Sequence, residues 1–374
     1  MGGGVRIDWP TFTIRPSVVI SSLCYSIFRL EPYSSCPYGC VYCYARWYRT
    51  HQPLSGEALV KLWGKLARQL GSANLPPPYF RLSTLVEPFQ EAEEKGRIAL
   101  RLMRIARRHG VPLVINTKSV LLRRPPWLDA VLELADEELV LVQVSVATLD
   151  EATARALEPG APTPRERLGM VEELCEHGVP VVARVQPLVP GIEDQQVEAA
   201  AAALEHGCRG VIVEPLRETV EGLARVAEAM GMSPREYLSA YRWEPYPSQR
   251  GASSLLRPGI EWRKSILERL RRTVSGRGVL TICKDGVWPG VSRYGVDCCQ
   301  AWLMGARYSL RRTLYEYVLE PRATPPNVHL LSEEEYGKYP RPVRRGLRLH
   351  HNKLRRVLES KLLLSELVVD EGRA

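Results

Sequence analysis

Short apolar segments alternate with amphipathic helical segments along much of this chain, and that alternation restricts the fold more than any other feature. The predicted strands span residues 25–30, 79–83, 111–116, 139–146, 179–185 and 210–213. The segment 139–146 is almost continuously apolar, as expected for a parallel strand covered on both faces. Strands that alternate with helices indicate parallel βα units. Six such units predict an α/β fold, a partial (β/α)6 barrel of the TIM type.

The alternation also suggests a division of the chain. We predict an N-terminal arm over residues 1–25, the barrel over 26–241 and a C-terminal extension over 242–374. Residues 242–259 are rich in Pro, Ser and Gly and are interpreted as a linker. The extension is basic and helical in places, with a candidate seventh strand at 278–282 and a cysteine-containing loop after it.

Composition limits where the protein works and what it meets. Of 374 residues 45% are hydrophobic, and the net charge is +9. No apolar run approaches the ~20 residues that span a bilayer, and the N-terminus lacks a signal-peptide core. We therefore expect no membrane span and a cytoplasmic location, where thiols stay reduced. The positive charge favours a polyanionic partner, without specifying one.

Three cysteines share one short loop directly after the first predicted strand. Cys36, Cys40 and Cys43 are separated by three and then two residues. A [4Fe–4S] cluster usually takes four cysteines, so three leave one iron open to a small molecule. A structural zinc site needs four ligands, usually in two Cys or His pairs. The nearest histidine is His51, and no second pair of ligands lies nearby. A disulfide framework is not expected in a chain of this length without a secretory signal.

This Cys-x3-Cys-x2-Cys motif, with Tyr42 before the last cysteine, resembles the signature of the radical S-adenosylmethionine (SAM) superfamily. Four further segments narrow the resemblance to the spore-photoproduct-lyase-like group of this superfamily. They are residues 87–90, 117–119, 157–168 and 185–194. The resemblance implies a [4Fe–4S] cluster whose open iron holds the amino and carboxylate groups of SAM. It also implies a ferredoxin- or flavodoxin-like electron donor, and reductive cleavage of SAM to methionine and a 5′-deoxyadenosyl radical.

Polar residues at the predicted strand ends are candidates for binding SAM, because the active sites of such barrels lie at that face. The resemblance implies that Lys118 reaches the SAM carboxylate; a solvated loop lysine is the alternative. The further candidates are Tyr42, Tyr44, Ser83, Thr84, Ser145 and Gln186. For the tyrosines the alternative is core packing, and for Ser145 a hydroxyl satisfied by the backbone.

The resemblance to the lyase itself is incomplete. Spore photoproduct lyase is expected to carry a hydrogen-donor cysteine near the end of its second strand, and residues 81–86 contain none. We therefore expect shared radical-generating machinery with another substrate. A nucleic acid base is the class that the family and the charge favour, with a peptide or a small metabolite as alternatives.

Three later cysteines are candidates for a catalytic role. Cys283 ends the candidate seventh strand, and Cys298 and Cys299 follow in a glycine-containing loop. They either bind an auxiliary iron–sulfur cluster or supply a hydrogen atom or thiyl radical; structural thiols or a disulfide are the alternative. Cys175 and Cys208 are interpreted as structural thiols, and Cys24 is left without a role.

The segment 340–356 is a basic run with interleaved leucines. It fits phosphate contacts with a nucleic acid or a solvated helix face. These features leave a second hypothesis of a different class, a nucleic-acid-binding protein whose iron–sulfur cluster is structural or redox-sensing.

Overall fold

A computed structural model describes residues 11–51, 54–247, 254–288, 297–318 and 324–369. The first ten residues of the predicted arm and residues 248–253 of the predicted linker lie outside these ranges. The strands, in chain order, are β1 (Arg29–Leu30), β2 (Phe80–Leu82), β3 (Leu113–Thr117), β4 (Val140–Ser145), β5 (Val181–Leu188), β6 (Gly210–Pro215), β7 (Glu244–Pro245), β8 (Leu256–Arg257), β9 (Val279–Ile282), β10 (Tyr308–Leu310) and β11 (Val328–Leu330).

One parallel sheet organises the molecule. Seven strands pair in the order β1-β2-β3-β4-β5-β6-β9, and every pairing is parallel. Within the described ranges β1 and β9 do not pair with each other, so the sheet is an open barrel. This confirms the predicted α/β fold and partial TIM-type barrel. The candidate strand at 278–282 is β9, which extends the six predicted strands to seven.

Fourteen helices accompany these strands in the described ranges. They are α1 (Val18–Leu23), α2 (Gly56–Gly71), α3 (Glu91–Gly96), α4 (Ile98–Arg108), α5 (Trp127–Asp136), α6 (Glu151–Leu157), α7 (Pro164–Glu176), α8 (Glu193–Glu205), α9 (Val220–Ala229), α10 (Pro234–Ala240), α11 (Ile260–Val274), α12 (Tyr315–Val318), α13 (Arg341–Leu358) and α14 (Lys361–Leu367). Across the described ranges, none of them has the length and apolar character that crossing a bilayer requires.

One residue, Arg97, separates α3 from α4, and a buried carboxylate explains the break. Arg97 adopts a left-handed conformation, with φ 49°, between α3 and α4. The Glu93 carboxylate accepts hydrogen bonds from the backbone N–H groups of Ala99 and Leu100, at 2.9 Å each. A negative charge there satisfies free donors of the first turn of α4. The chain therefore begins a new helix instead of continuing the old one.

The first and last parts of the chain pack on the barrel. Phe28 pairs with Thr13 in an isolated antiparallel bridge, so only two residues remain for β1, fewer than the six predicted. Helix α1 packs against α13, and β7 and β8 form a two-stranded antiparallel sheet inside the predicted linker. The predicted domain boundaries at residues 25 and 241 remain predictions.

The interior of the barrel changes character along the strands. Side chains alternate between the two faces of a strand, and Val114, Leu141, Val182 and Ile212 form an apolar layer with 0% exposure. The interior positions nearer the strand ends are polar, namely Arg81, Asn116, Gln143, Arg184 and Glu214. The sequence thus builds an apolar base and a polar mouth, with the mouth at the carboxyl ends of the strands.

Candidate functional site

A cleft opens at the carboxyl ends of the strands and encloses about 1010 Å³ of empty space, part of it open to solvent. The loop after β1 forms one wall and the strand ends form the rest. The lining includes every residue predicted to bind the cluster or SAM: Cys36, Cys40, Tyr42, Cys43, Tyr44, Ser83, Thr84, Lys118, Ser145 and Gln186. Folding brings these residues together from five separate segments of the chain. The placement agrees with the predicted roles, which remain predictions.

Two other segments hold the cysteine loop in place. Gly160 N–H donates to the Tyr38 carbonyl at 3.0 Å, and Val41 N–H donates to the Leu157 carbonyl at 2.9 Å. On the opposite side, Gln90 Nε2 donates to the Ser35 carbonyl at 2.8 Å. The loop between α6 and α7 and the loop after β2 therefore clamp the cysteines from two sides.

The donor set of this loop fits an iron–sulfur cluster. Cys36, Cys40 and Cys43 are free thiols. Burial raises the pKa of Cys36, and it raises the pKa of Cys40 to about 12. Soft thiolate ligands with no carboxylate or imidazole among them suit iron–sulfur clusters, and bound metal keeps such thiols deprotonated.

The described residues offer no group of three His, Cys, Asp or Glu side chains arranged around a single metal ion. A cubane cluster does not require that arrangement, because each cysteine ligates a different iron atom. Within the described ranges the structure therefore shows no preformed site of the structural zinc type, in which four ligands surround one ion.

Glu158 lies behind the cysteine loop and gathers three partners. Arg167 Nη2 lies 2.5 Å from Glu158 Oε2, with both side chains buried. The Tyr42 hydroxyl donates to Glu158 Oε1, and Lys118 Nζ lies 3.4 Å from the same oxygen. Arg167 also donates to the Ser145 carbonyl at 3.0 Å. The conspicuous 157–168 segment therefore joins the cysteine loop to the ends of β3 and β4.

Lys118 is a mostly buried lysine, with 16% of its side chain exposed, and it lies close to the cysteines. Its backbone N–H donates to Glu87 Oε2 at 2.8 Å, and Thr117 Oγ1 donates to Glu87 Oε1 at 2.6 Å. Burial lowers the pKa of Lys118, while the nearby Cys40 opposes that shift. Its ammonium group lies 5.8 Å from the Tyr42 ring centroid. Lys118 therefore presents a cation to the cleft, and its contact with the SAM carboxylate remains a prediction.

The hydroxyls of Ser83 and Thr84 are already engaged by the protein. Both donate to the buried Glu31 carboxylate, which also accepts the backbone N–H groups of Thr84 at 2.9 Å and Leu85 at 3.2 Å. Ser83 and Thr84 therefore fix the backbone of this wall of the cleft around Glu31. Glu31 was not among the residues predicted from the sequence. Its position directly after β1 was the available signal, because strand-end polar residues in barrels tend to be functional.

The remaining predicted residues occupy different depths of the cleft. The Tyr44 hydroxyl donates to the Thr84 carbonyl. Gln186 accepts a hydrogen bond from Arg184 through Oε1, while its buried Nε2 has no partner within the described structure. Ser145 faces the cleft at the end of β4.

Comparisons with known proteins agree with this site. A model of the Radical SAM superfamily matches residues 30–204. An uncharacterized protein of Mycobacterium tuberculosis (strain ATCC 25618 / H37Rv) is 30% identical over 245 residues, which cover 60% of this chain and 70% of that protein. The chain belongs to the radical SAM superfamily. Membership implies a [4Fe–4S] cluster, SAM and an electron donor, and makes this protein a radical SAM enzyme.

Solved structures share the fold of this radical SAM enzyme. A spore photoproduct lyase mutant with bound AdoMet and dinucleoside spore photoproduct has a TM-score of 0.54 at 14% identity, covering 74% of this chain and 80% of that one. Spore photoproduct lyase complexed with dinucleoside spore photoproduct has the same score and identity, covering 70% and 77%. At this identity the likeness is one of fold, and it confirms the architecture that the sequence resemblance implied.

The three later cysteines meet below the cleft. The Cys298 thiol forms hydrogen bonds with the thiols of Cys283 and Cys299, and all three side chains are buried. Cys24, which had no role in the sequence interpretation, lies near Cys283 and Cys299. None of the four lines the cleft, so Cys283 lies beneath the mouth instead of opening onto it. Their catalytic role remains a prediction.

The basic C-terminal run forms α13 and exposes its arginines. Arg345, Arg348 and Arg355 are exposed, while Val343 and Leu347 are buried. The helix packs against α1, and its residues are absent from the cleft lining. The exposed arginines of α13 therefore lie on the surface, apart from the cleft.

Proposed function

We propose that this radical SAM enzyme holds its cluster on Cys36, Cys40 and Cys43 and binds SAM across the ends of β2 to β5. When bound, the cluster and SAM supply a 5′-deoxyadenosyl radical. The barrel interior below them holds the substrate from which a hydrogen atom is taken. The observation that carries this proposal is the convergence of ten residues, chosen from sequence alone, on one cleft.

The residues around the cysteine loop have separate tasks in this proposal. Lys118 neutralises the carboxylate of SAM, because its ammonium group lies near Cys40 at the wall of the cleft. Glu158 orients that lysine, and Arg167 compensates the remaining charge of Glu158. Tyr42 and Tyr44 flank the last cysteine and border the space for the adenine, with their hydroxyls tied to Glu158 and to the Thr84 carbonyl.

The apolar base of the barrel protects a reactive intermediate from water. Val114, Leu141, Val182 and Ile212 have no exposed surface. The loop carrying Cys298 and Cys299 packs against this layer, and Gln143 Nε2 fixes it through the Cys299 carbonyl at 2.7 Å. A closed base leaves the mouth as the route of entry and excludes side reactions with solvent.

The electron donor would approach from the outer side of the cysteine loop. A second groove there is lined by all three cysteines together with Arg46 and Arg225. A cationic rim beside a cluster attracts an acidic partner of the ferredoxin or flavodoxin type. Arg46 is fixed in place by the buried Glu218 carboxylate.

The buried thiols are proposed as a source of hydrogen atoms. Cys283 lies close to Lys284, Glu214 and Arg184, two of which line the cleft. Hydrogen bonding between Cys298 and Cys283 lowers the pKa of Cys283 and raises that of Cys298, so the S–H of this pair belongs to Cys298. Transfer of that hydrogen atom to a substrate radical gives a closed-shell product and a thiyl radical. A second cluster on Cys283, Cys298 and Cys299 is the alternative, since the same packing brings the three thiols together. About eight irons per chain, instead of about four, would favour that alternative.

A nucleic acid partner is proposed on one further observation, the exposed arginines of α13. Replacing Arg348 and Arg355 by Gln should weaken binding of single-stranded DNA and lower its salt slope by about 0.7 per arginine. Arg104→Gln, an exposed arginine on α4, is the matched control. Fluorescence anisotropy at several salt concentrations measures both, and equal slopes for the two variants would exclude α13 as the contact.

The decisive experiment measures cleavage of SAM. The protein is reconstituted anaerobically with iron and sulfide, reduced with dithionite and assayed for 5′-deoxyadenosine. We expect SAM-dependent product from the wild type and from Cys175→Ser, a cysteine on α7 remote from the cleft. Cys40→Ala should lose both the cluster and the product. Product from Cys40→Ala equal to that of the wild type would refute the proposal, as would a reduced wild-type cluster that leaves SAM intact.

A further inference from the structure

Four cations converge below the proposed SAM site. Arg81 lies on β2, Arg184 on β5, Arg217 directly after β6 and Lys284 directly after β9. The first three line the cleft, and Lys284 Nζ lies 5.2 Å from the ring centroid of Tyr44, which also lines it. Because these residues come from four strand ends, their charges meet only in the folded barrel.

The carboxylates of the described residues do not balance this charge. Glu214 pairs with Arg217 at 2.8 Å and with Lys284 at 3.3 Å. Arg81 and Arg184 have no carboxylate within 4.0 Å in the described ranges. Their hydrogen-bond partners are neutral amides: Arg81 Nη2 donates to Asn116 Oδ1 at 3.2 Å, and Arg184 Nη1 donates to Gln143 Oε1 at 2.7 Å. Asn116 and Gln143 are register partners on adjacent strands, so the two guanidinium groups flank one small area.

Unused donors accompany these charges. The buried Nε of Arg81 and the buried Nε2 of Gln186 have no hydrogen-bond partner in the described structure. Arg81, Arg184 and Gln186 are each more than nine-tenths buried, and all three line the cleft. Buried donors without acceptors and buried charges without partners are costly. Such groups in a cleft are arranged for a ligand that supplies acceptors and negative charge.

SAM does not supply that charge. It carries a sulfonium and an ammonium group against one carboxylate, so its net charge is positive and adds to that of the arginines. In the proposed function its carboxylate is used at Lys118, beside the cysteines. The Cys283 thiol lies next to Lys284, and hydrogen bonding from Cys298 together with that lysine lowers its pKa to about 6. One thiolate there still leaves Arg81 and Arg184 without a carboxylate partner.

We propose that Arg81 and Arg184, with Gln186, bind an anionic oxygen group of the second substrate, a carboxylate or a phosphate. The inference rests on the proposed function for the identity of the first ligand. Arginine presents a planar fork that suits bidentate recognition of either group. The substrate is accordingly an anionic molecule that enters the barrel below SAM with its charged end at the arginines.

The test measures binding without turnover, so it does not depend on cleavage of SAM. Anaerobically reconstituted holoenzyme, saturated with SAM and left unreduced, is titrated calorimetrically with inorganic phosphate and separately with succinate. We expect saturable binding at one site per chain, with the tighter of the two probes identifying the group. Arg184→Gln and Arg81→Gln should each weaken it about 10- to 100-fold, the range for a charge-assisted hydrogen bond. Arg277→Gln, a surface arginine paired with Glu205, should not.

Two results would overturn the inference. One is the absence of saturable binding of both probes to the wild type. The other is unchanged affinity in Arg184→Gln that retains wild-type iron content. If Arg184→Gln loses its iron, Arg184→Lys replaces it, and a several-fold weakening is expected because the charge stays while the fork is lost. Failure of the proposed function would show differently, as missing 5′-deoxyadenosine in the reduced wild type.

Discussion

Replacing Gly160 by Ala should displace the loop that carries the cluster cysteines. A Cβ atom at this position would lie 2.8 Å from Tyr38 Cα, 3.0 Å from the Pro37 carbonyl oxygen and 3.1 Å from the Tyr38 carbonyl oxygen. All three are backbone atoms between Cys36 and Cys40, so no side-chain rotation relieves the contact. The backbones must separate, and the hydrogen bond from Gly160 N–H to the Tyr38 carbonyl lengthens with them.

The expected magnitude follows from the size of this overlap. Inserting one methyl group into a closely packed site destabilises a protein by about 1–3 kcal/mol. Here the destabilised segment is the cysteine loop, so Gly160→Ala should lose iron faster to a chelator and produce less 5′-deoxyadenosine. Gly64→Ala is the matched control: nothing lies within 4 Å of its Cβ in the middle of α2. Alanine there should stabilise by about 0.5–1 kcal/mol.

Iron per chain, the chelation rate and the urea midpoint are measured for wild type, Gly160→Ala and Gly64→Ala. A Gly160→Ala protein with wild-type iron retention and wild-type activity would refute the reasoning. It would mean that the loop between α6 and α7 does not determine the position of the cysteines.

Three further outcomes follow from the same contacts. Arg167→Met leaves Glu158 buried without its closest cation, so urea unfolding should show a loss of about 3 kcal/mol. Burial lowers the pKa of His350 from 6.5 to about 3, so below pH 6.5 the unfolded chain binds a proton that the folded protein does not bind. The wild type should therefore lose stability between pH 7 and 5, and His350→Gln should lose less. In D2O without added substrate, the 5′-deoxyadenosyl radical should take deuterium from an S–D bond of the buried thiols and leave a thiyl radical. The wild-type 5′-deoxyadenosine should therefore carry deuterium, and Cys298→Ser should reduce it while Cys175→Ser does not.

Each of these has its own contradicting result. Arg123→Met is the control for Arg167→Met, because it removes an exposed ion pair with Glu173 and should change stability by less than about 1 kcal/mol. An equal loss of stability in Arg123→Met and Arg167→Met would contradict the role of burial. An equal pH dependence with and without His350 would contradict its neutral state beside Arg311. Unchanged deuterium in Cys298→Ser would remove that thiol as a hydrogen source.

Part of this site could be predicted because it depends on residues that are close together in the sequence. The spacing of Cys36, Cys40 and Cys43 confines three thiols to one loop wherever the rest of the chain goes. Lys118 and Gln186 were predicted because parallel strands bring their carboxyl ends to one face, so a polar residue at a strand end is placed by topology alone. The alternation of strands and helices determined the partial barrel for the same reason.

Other features depend on which distant segments pair, and the sequence does not display them. Glu31 gathers four hydrogen bonds from residues 83–85 only because β1 lies beside β2 in a particular register. Cys24 joins the thiols of the C-terminal loop only after α1 packs against the barrel. The pairing of Arg81 and Arg184 with neutral amides is set by facing positions on adjacent strands. Local spacing thus determined the predicted cluster ligands and the architecture. The charge and shape of the cleft were decided by tertiary packing, because they depend on contacts between residues on different strands, 35 and 41 positions apart for the two arginines.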